Sequence, residues 1–234
     1  MTQRLRLALL DASFGNEDTS RNFRRELDAD LAEYDVTAGE LPPADVDVDG
    51  VVVTGSAASV YADEAWIPDL LDWLRESVDR GRPHLGVCFG HQALATALGG
   101  TVEPIGGYEI GYHEIRRVGA SRLLDGLPER FVAFTTHRDA VTALPPGADA
   151  IAENDWSNHG FERGRVFTVQ FHPEYDRATA EALVARKDLD EETRRGALDS
   201  ISAETVARAA TTKRLFDAFE ALVREGAVED ARAT

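Results

Sequence analysis

Short apolar runs alternate along the chain with longer segments whose apolar residues recur every three or four positions, the pattern of a mostly parallel sheet covered by helices on both faces. Leu5 to Leu10 is the first apolar run, and a helical stretch follows from about Ser20, with Phe23, Leu27 and Leu31 on one face. Tyr34 to Ala38 and Gly50 to Val53 read as the next strands. Trp66, Leu70, Leu71, Leu74 and Val78 mark a second amphipathic helix, with Asp63 as its cap and Gly81 as its stop. Pro83 to Val87 then reads as a short buried strand, and Phe89 to Leu98 as a helix closed by Gly99-Gly100. Short strands are expected at Thr101 to Glu103, His113 to Val118, Phe131 to Thr135, Ala148 to Glu153 and Ser157 to Phe161, before a last strand from Arg165 to Phe171. Glycines 106, 107 and 111 read as turns, because no helix with a Lys-Ser/Thr start follows them to make a phosphate loop.

From Arg177 onward the composition shifts to Ala, Arg, Glu and Asp. Leu183, Val184 and Leu189 are expected in one helical segment, and Leu215, Phe216, Phe219, Leu222 and Val223 in a longer one. The expected organisation is therefore residues 1–176 as an α/β domain and residues 177–234 as a C-terminal helical extension packed on it. That extension suits a lid, a dimerisation element that would make a homo-oligomer, a docking surface, or a simple packed appendage. The last residues, Gly226 to Thr234, are expected to fray.

Length and charge narrow the class. A chain of 234 residues suits one large domain or a domain with an appendage. No run approaches the roughly 20 apolar residues of a membrane helix, and the start of the chain lacks a signal peptide's pattern, so a cytoplasmic protein with no membrane partner is expected. The single cysteine forms no intrachain disulfide, which fits a reducing compartment. With 42 acidic against 25 basic residues the formal charge is −17, which argues against a nucleic-acid partner. Only two of the basic residues, Lys187 and Lys213, are lysines. Scarce lysine with abundant acid resembles proteins of salt-loving microbes, where salt screens the self-repulsion; a GC-rich genome exchanges lysine for arginine as well.

The candidate chemistry lies at Cys88. A lone cysteine is usually a small buried hydrophobe, but this one stands in Gly86-Val87-Cys88-Phe89-Gly90-His91-Gln92, where the predicted strand meets the predicted helix. A nucleophile at such an elbow adopts a strained backbone, and small neighbours remove the side chains that would collide with it. The helix start also favours the thiolate. Phe171-His172-Pro173-Glu174 supplies a histidine and a carboxylate two residues apart, a spacing that puts both on one side of a strand end. Nucleophile, base and orienter make a set, and the set points to a cysteine-nucleophile amide hydrolase. A metal site built from His91, His137 and His172 is disfavoured, because no pair has the spacing of ligands on one helix; no metal and no cofactor is expected. For the oxyanion of a tetrahedral intermediate, the N–H of Phe89 is a candidate donor on geometry alone.

These residues resemble the class I (triad) glutamine amidotransferases, and the resemblance runs from about Leu5 to Glu174. It implies a three-layer, flavodoxin-like α/β fold in which Cys88 attacks the side-chain amide of glutamine, His172 relays the proton to departing ammonia, and Glu174 orients His172. The second oxyanion donor would then be Ser56, in Thr54-Gly55-Ser56-Ala57, which stands where the family has a Gly-Gly-Pro loop. Here Ser56 and Ala57 replace the second glycine and the proline. Gly55, Gln92, Thr136 and His137 are implied as substrate contacts, the last two within Thr135-Thr136-His137-Arg138-Asp139, which resembles the family's Ser-His-x-Asp segment. Taken alone, His137 would read as structural and Gln92 as a solvated helix residue. Ser59-Val60-Tyr61-Ala62-Asp63 with Trp66-Ile67 resembles the GMP-synthetase-like branch.

The chain has no Ser-Gly-Gly-x-Asp-Ser nucleotide loop, so the resemblance further implies an ATP-dependent synthetase as a separate partner. Two other readings stay open: a hydrolase of γ-glutamyl peptides with the same triad, and a non-catalytic relative serving as a regulatory subunit. The complete Cys-His-Glu set counts against the latter.

Overall fold

The computed structural model describes residues 4–233, with side chains described as far as Gly226. One nine-stranded sheet runs through the molecule in the order β2-β1-β3-β4-β9-β8-β7-β5-β6. Five of these strands are mutually parallel: β1 (Leu5–Asp11), β2 (Ala29–Asp35), β3 (Gly50–Val53), β4 (His84–Val87) and β9 (Val166–Val169). The remaining four extend the sheet antiparallel: β5 (Thr101–Arg117), β6 (Arg130–Ala143), β7 (Asp149–Glu153) and β8 (Asn158–Arg163). Strands β3, β4 and β9 are buried along their whole length, as parallel strands covered on both faces must be.

Two apolar layers flank the parallel part. On one face α2 (Trp66–Asp79) and α3 (Phe89–Ala97) pack Trp66, Leu70, Leu74 and Leu94 against Leu10, Val51 and Val53. On the other, α1 (Glu17–Glu26) and α7 (Arg214–Ala233) bring Phe23, Leu215, Phe216, Phe219 and Val223 against Leu7, Leu9, Val52 and Leu85. Full burial of each such side chain is worth about 1.5–3 kcal/mol, so α7 belongs to the principal core. A third cluster joins Ile110, Tyr112 and Phe134 of the β5–β6 hairpin to α4 (Arg177–Arg186), α5 (Glu191–Ser200) and α6 (Ala203–Ala209). No helix among the described residues is long and apolar enough to cross a membrane.

Several boundaries differ from the sequence expectations, each for a physical reason. Helix α1 starts earlier, capped by the Asn16 side chain, and ends at Glu26, so Leu27 is its C-cap and Leu31 lies in β2. A spacing of four fits a strand face as well as a helix face, which is why Leu31 looked helical. The segment Tyr34 to Ala38 is divided: Asp35 closes β2, and its carboxylate caps a 3₁₀ turn at Val36–Ala38. Asp63 does not cap α2, whose N-cap position is held by Ala65 without a side-chain bond.

The glycines at 106, 107 and 111 fall inside β5 rather than in separating turns. The pairing shifts register between Pro104 and Glu109, and Gly106 takes a positive φ of 75° at that irregularity. Leu189 lies between α4 and α5, because Lys187 ends the first helix with extended backbone and Asp190 caps the next. Helix α7 continues to Ala233 in place of the frayed tail expected from Gly226; Thr234, like Met1-Thr2-Gln3, lies outside the described residues.

Candidate active site

Cys88 occupies the junction of β4 and α3 with φ 54° and ψ −104°, in a region that L-residues rarely adopt. Three backbone bonds hold the elbow: Cys88 N–H donates to Val169 O (2.8 Å), Gly90 N–H to Thr54 O (3.1 Å) and Gln92 N–H to Cys88 O (3.2 Å). A Cβ on Gly86 would stand 2.5 Å from Gly90 O, and one on Gly90 2.4 Å from Val53 O. Both glycines are therefore required by close approach of the backbone, and the strained Cys88 backbone is over-determined by its surroundings.

His172 lies past the end of β9, which stops at Val169 rather than running to Phe171. An isolated bridge to Phe134 holds it, with His172 N–H donating to Phe134 O at 2.8 Å. Its Nδ1 is 2.8 Å from Glu174 Oε1, and both side chains are almost fully buried. Because a carboxylate can only accept, Nδ1 carries the proton, which leaves Nε2 for the thiol. Burial by itself lowers the pKa of His172, but the negative charges of Glu174 and of Cys88 as thiolate, with their hydrogen bonds, outweigh it and push it up to about 10. The site thus favours the protonated imidazolium at His172. Tyr175 packs on the His172 ring with centroids 4.4 Å apart, and burial pushes its own hydroxyl well above the ordinary tyrosine range.

These groups open into a cavity of about 380 Å³ that contains every side chain and backbone site expected from the sequence: Gly55, Ser56, Cys88, Phe89, Gln92, Thr136, His137, His172 and Glu174. Gly55 sits against the pair; a Cβ there would be 3.0 Å from His172 Cε1 and 3.6 Å from Cys88 Cβ. Neither Ser56 N–H nor Phe89 N–H has a hydrogen-bond acceptor among the described residues. The Cys88 thiol lies 3.8 Å from Thr136 O.

Gln92 is buried, not solvated, and its Nε2 donates to Asp139 O and Gln170 Oε1, both at 3.0 Å. His137 donates from Nδ1 to Asp139 O (2.9 Å), and its Nε2 lies 2.8 Å from Glu109 Oε2. Glu109 also contacts His159 Nε2 at 3.2 Å and accepts from Asn154 Nδ2 at 2.6 Å. Burial alone would raise the Glu109 pKa, but the two histidines hold it well below the usual carboxylate range. The donor atoms of Glu109, His137 and His159 lie within 4.8 Å of one another, the grouping among the described residues that comes nearest to a metal-ligand set. The His137 contact is close without hydrogen-bond alignment, whereas His159 Nε2 lies in hydrogen-bond reach of the same oxygen, and we read the trio as a buried polar network beside the cavity. His91, disfavoured as a metal ligand, is bonded through Nδ1 to Thr168 Oγ1 at 2.9 Å, and burial depresses its pKa to about 3.

The cavity also contains residues that sequence reasoning did not single out. Tyr108 (hydroxyl 3.1 Å from Thr136 Oγ1), Tyr175, Leu183, Arg186 and Lys187 all line it, beside Asp139 of the Thr135-to-Asp139 segment. Leu183, Arg186 and Lys187 come from α4 and its C-cap, so the segment after Arg177 forms one wall of the site. Tyr108 and Glu109 had no signal, because the glycines around them read as turns. Tyr175 directly follows Glu174 and could have been found from that position.

Residues 11–191 match the family model for the class-I glutamine amidotransferases. The chain is 36% identical over 185 residues to a GMP synthase (glutamine-hydrolyzing) of Methylobacillus flagellatus, covering 71% of this chain and 33% of that protein. It is also 36% identical over 141 residues to that of Thermomicrobium roseum, covering 60% and 26%. It thus spans a third or less of the length of these relatives. Among solved structures, a glutamine amidotransferase from Methylobacillus flagellatus superposes with a TM-score of 0.77 at 22% identity over 97% of this chain and 96% of that one. One from Thermotoga maritima superposes at 0.75, also 22% identical, over 94% and 99%. With the family model spanning most of the chain and its fold shared end to end, this protein belongs to the class-I glutamine amidotransferase family.

Proposed function

We propose that the chain hydrolyses glutamine to glutamate and ammonia through Cys88, His172 and Glu174. The Cys88 thiolate attacks the amide carbon, the tetrahedral oxyanion is met by the N–H groups of Ser56 and Phe89, and the proton on His172 Nε2 passes to the leaving ammonia. The resulting glutamyl thioester is then attacked by water, whose proton His172 accepts, and its collapse releases glutamate and regenerates the thiolate. Glu174 keeps the His172 ring in the tautomer and orientation that present Nε2 to sulfur. Gly55, Gln92, Thr136 and His137 shape the pocket around the substrate. The observation that carries this reading is the strained Cys88 elbow opposite the buried His172–Glu174 pair. The ammonia passes to a separate ATP-dependent synthetase of GMP-synthetase type, in line with the relatives that carry that name. We also keep the division at residue 176 as a proposal about chain organisation, with the later helices packed on the domain that carries the triad.

The test is covalent. A glutamine-mimicking chloroketone or diazoketone is expected to add one equivalent at Cys88 and abolish ammonia release, and Cys88→Ser is expected to be inactive. Labelling elsewhere, or full activity in Cys88→Ser, would sink the mechanism. A second reading, γ-glutamyl peptide hydrolysis, is favoured by the cavity of about 380 Å³ with Arg138, Arg186 and Lys187 on its lining, which suits a substrate with a second carboxylate. Steady-state turnover of glutamine and of a γ-glutamyl dipeptide in high potassium chloride decides between them: fast dipeptide cleavage with little attack on glutamine selects the second.

A further inference from the structure

The loop after β3 carries Gly55 and Ser56 to the triad; Val60, with Ala58 and Ala62 beside it, anchors the loop in the apolar layer, but few hydrogen bonds fix its course. Among the described residues, only two hydrogen bonds tie residues 56–62 to elements outside the loop, and both end on one carboxylate. Ser59 Oγ donates to Asp139 Oδ2 at 2.5 Å, and Tyr61 OH donates to Asp139 Oδ1 at 2.6 Å. The remaining bonds stay inside the loop, from Ala58 N–H to Ser56 Oγ and from Ala62 N–H to Ser59 O. Asp139 sits on β6, about eighty residues further along the chain and 5% exposed, and its backbone carbonyl is fixed from the other side by Gln92 and His137.

From this we propose that Asp139 is a positioning residue: its carboxylate latches the oxyanion loop to β6 through Ser59 and Tyr61, and so sets where Ser56 N–H points. The inference rests on the proposed role of Ser56 as an oxyanion donor. Both carboxylate oxygens of Asp139 are engaged by the two loop hydroxyls. O–H to carboxylate bonds of this length are charge-assisted and stronger than neutral ones.

The experiment uses Ser59→Ala, Tyr61→Phe, the double variant and Asp139→Asn in the full chain. A freed oxyanion donor is felt in the transition state, so the double variant is expected to lower kcat for glutamine by about 10–100-fold with KM within about threefold, and Asp139→Asn to match it. Chloroketone labelling of Cys88, which passes through a tetrahedral adduct, is expected to slow in parallel. Alkylation by iodoacetamide, in which sulfur displaces iodide without an oxyanion, is expected to stay at the wild-type rate. Loss of fold would change both reagents together. Hydrogen exchange of the amides at 55–62 is expected to speed up at least tenfold in the double variant. A KM raised more than tenfold in Asp139→Asn with kcat retained, beside a wild-type double variant, overturns the latch and makes Asp139 a substrate contact. Should the wild-type chain release no ammonia from glutamine and cleave no γ-glutamyl peptide, the proposed function fails; the latch is then judged by exchange alone, and unchanged exchange overturns it.

Discussion

Two segments meet at the reactive sulfur and are built on opposite principles. The elbow around Cys88 is fixed by the backbone: parallel pairing of β4 with β3 and β9, three main-chain bonds, and two glycines that admit no Cβ. The loop from Ser56 to Ala62 is fixed by side chains, through two hydroxyls on one distant carboxylate. A strained nucleophile persists only where its surroundings over-determine it, whereas donors for a transient oxyanion need only be held well enough to point inward. The comparison teaches that the Cys88 elbow is the rigid partner of this site and the loop from Ser56 the adjustable one.

The largest effects are expected where the rigid side is broken chemically. His172→Ala should lower kcat by about 10³-fold or more, since it removes the proposed proton relay, and Glu174→Gln should cost less, because the backbone bond to Phe134 and the Tyr175 ring still hold His172 in place. Equal wild-type turnover in both, measured as ammonia release, would end the triad assignment. Next in size is Gly90→Ala, whose methyl would meet Val53 O at 2.4 Å. It is expected to destabilise the fold by about 1–3 kcal/mol and to abolish activity, read from urea midpoints and turnover. Ser59→Ala in the adjustable loop should cost no more than about 1 kcal/mol of stability. If it costs as much as Gly90→Ala, the contrast between the segments fails.

Smaller effects come from titration. The folded-state pKa of His172 is raised above its unfolded value, so the stability it contributes is full below pH about 6.5 and is lost as pH rises through about 10. The urea midpoint difference between wild type and His172→Gln should therefore shrink between pH 7 and 10.5. Glu109 has the opposite sign: its pKa is depressed, so its contribution is present above the unfolded value of about 4.5 and is lost as pH falls below it. The gap in stability between wild type and Glu109→Gln should narrow as pH falls from 5 to 3, and a constant gap would show that the pair with His137 and His159 contributes no charge-dependent stability.

The parallel half of the fold was legible in the sequence because its signals are local. Strands β1, β3 and β4 are continuous apolar runs, and α2 shows its buried face at helical spacing. Small residues on either side of Cys88 mark the elbow, where two backbones must approach, and the two-residue spacing of His172 and Glu174 is short enough to be read directly. The antiparallel half was not legible in the same way. β6 is buried at seven consecutive positions from Phe131 to His137, so it shows no alternation, and the glycines of β5 imitate turns. Tertiary structure alone decided that α7 enters the core, that the segment after Arg177 walls the cavity, that Glu109 lies under His137, and that Asp139 accepts from Ser59 and Tyr61. Each of these joins residues far apart in the chain, where neither periodicity nor motif spacing carries information. The sequence could determine what a few neighbouring residues do to their own backbone; which distant side chain satisfies a buried carboxylate is decided only when the sheet brings the two together.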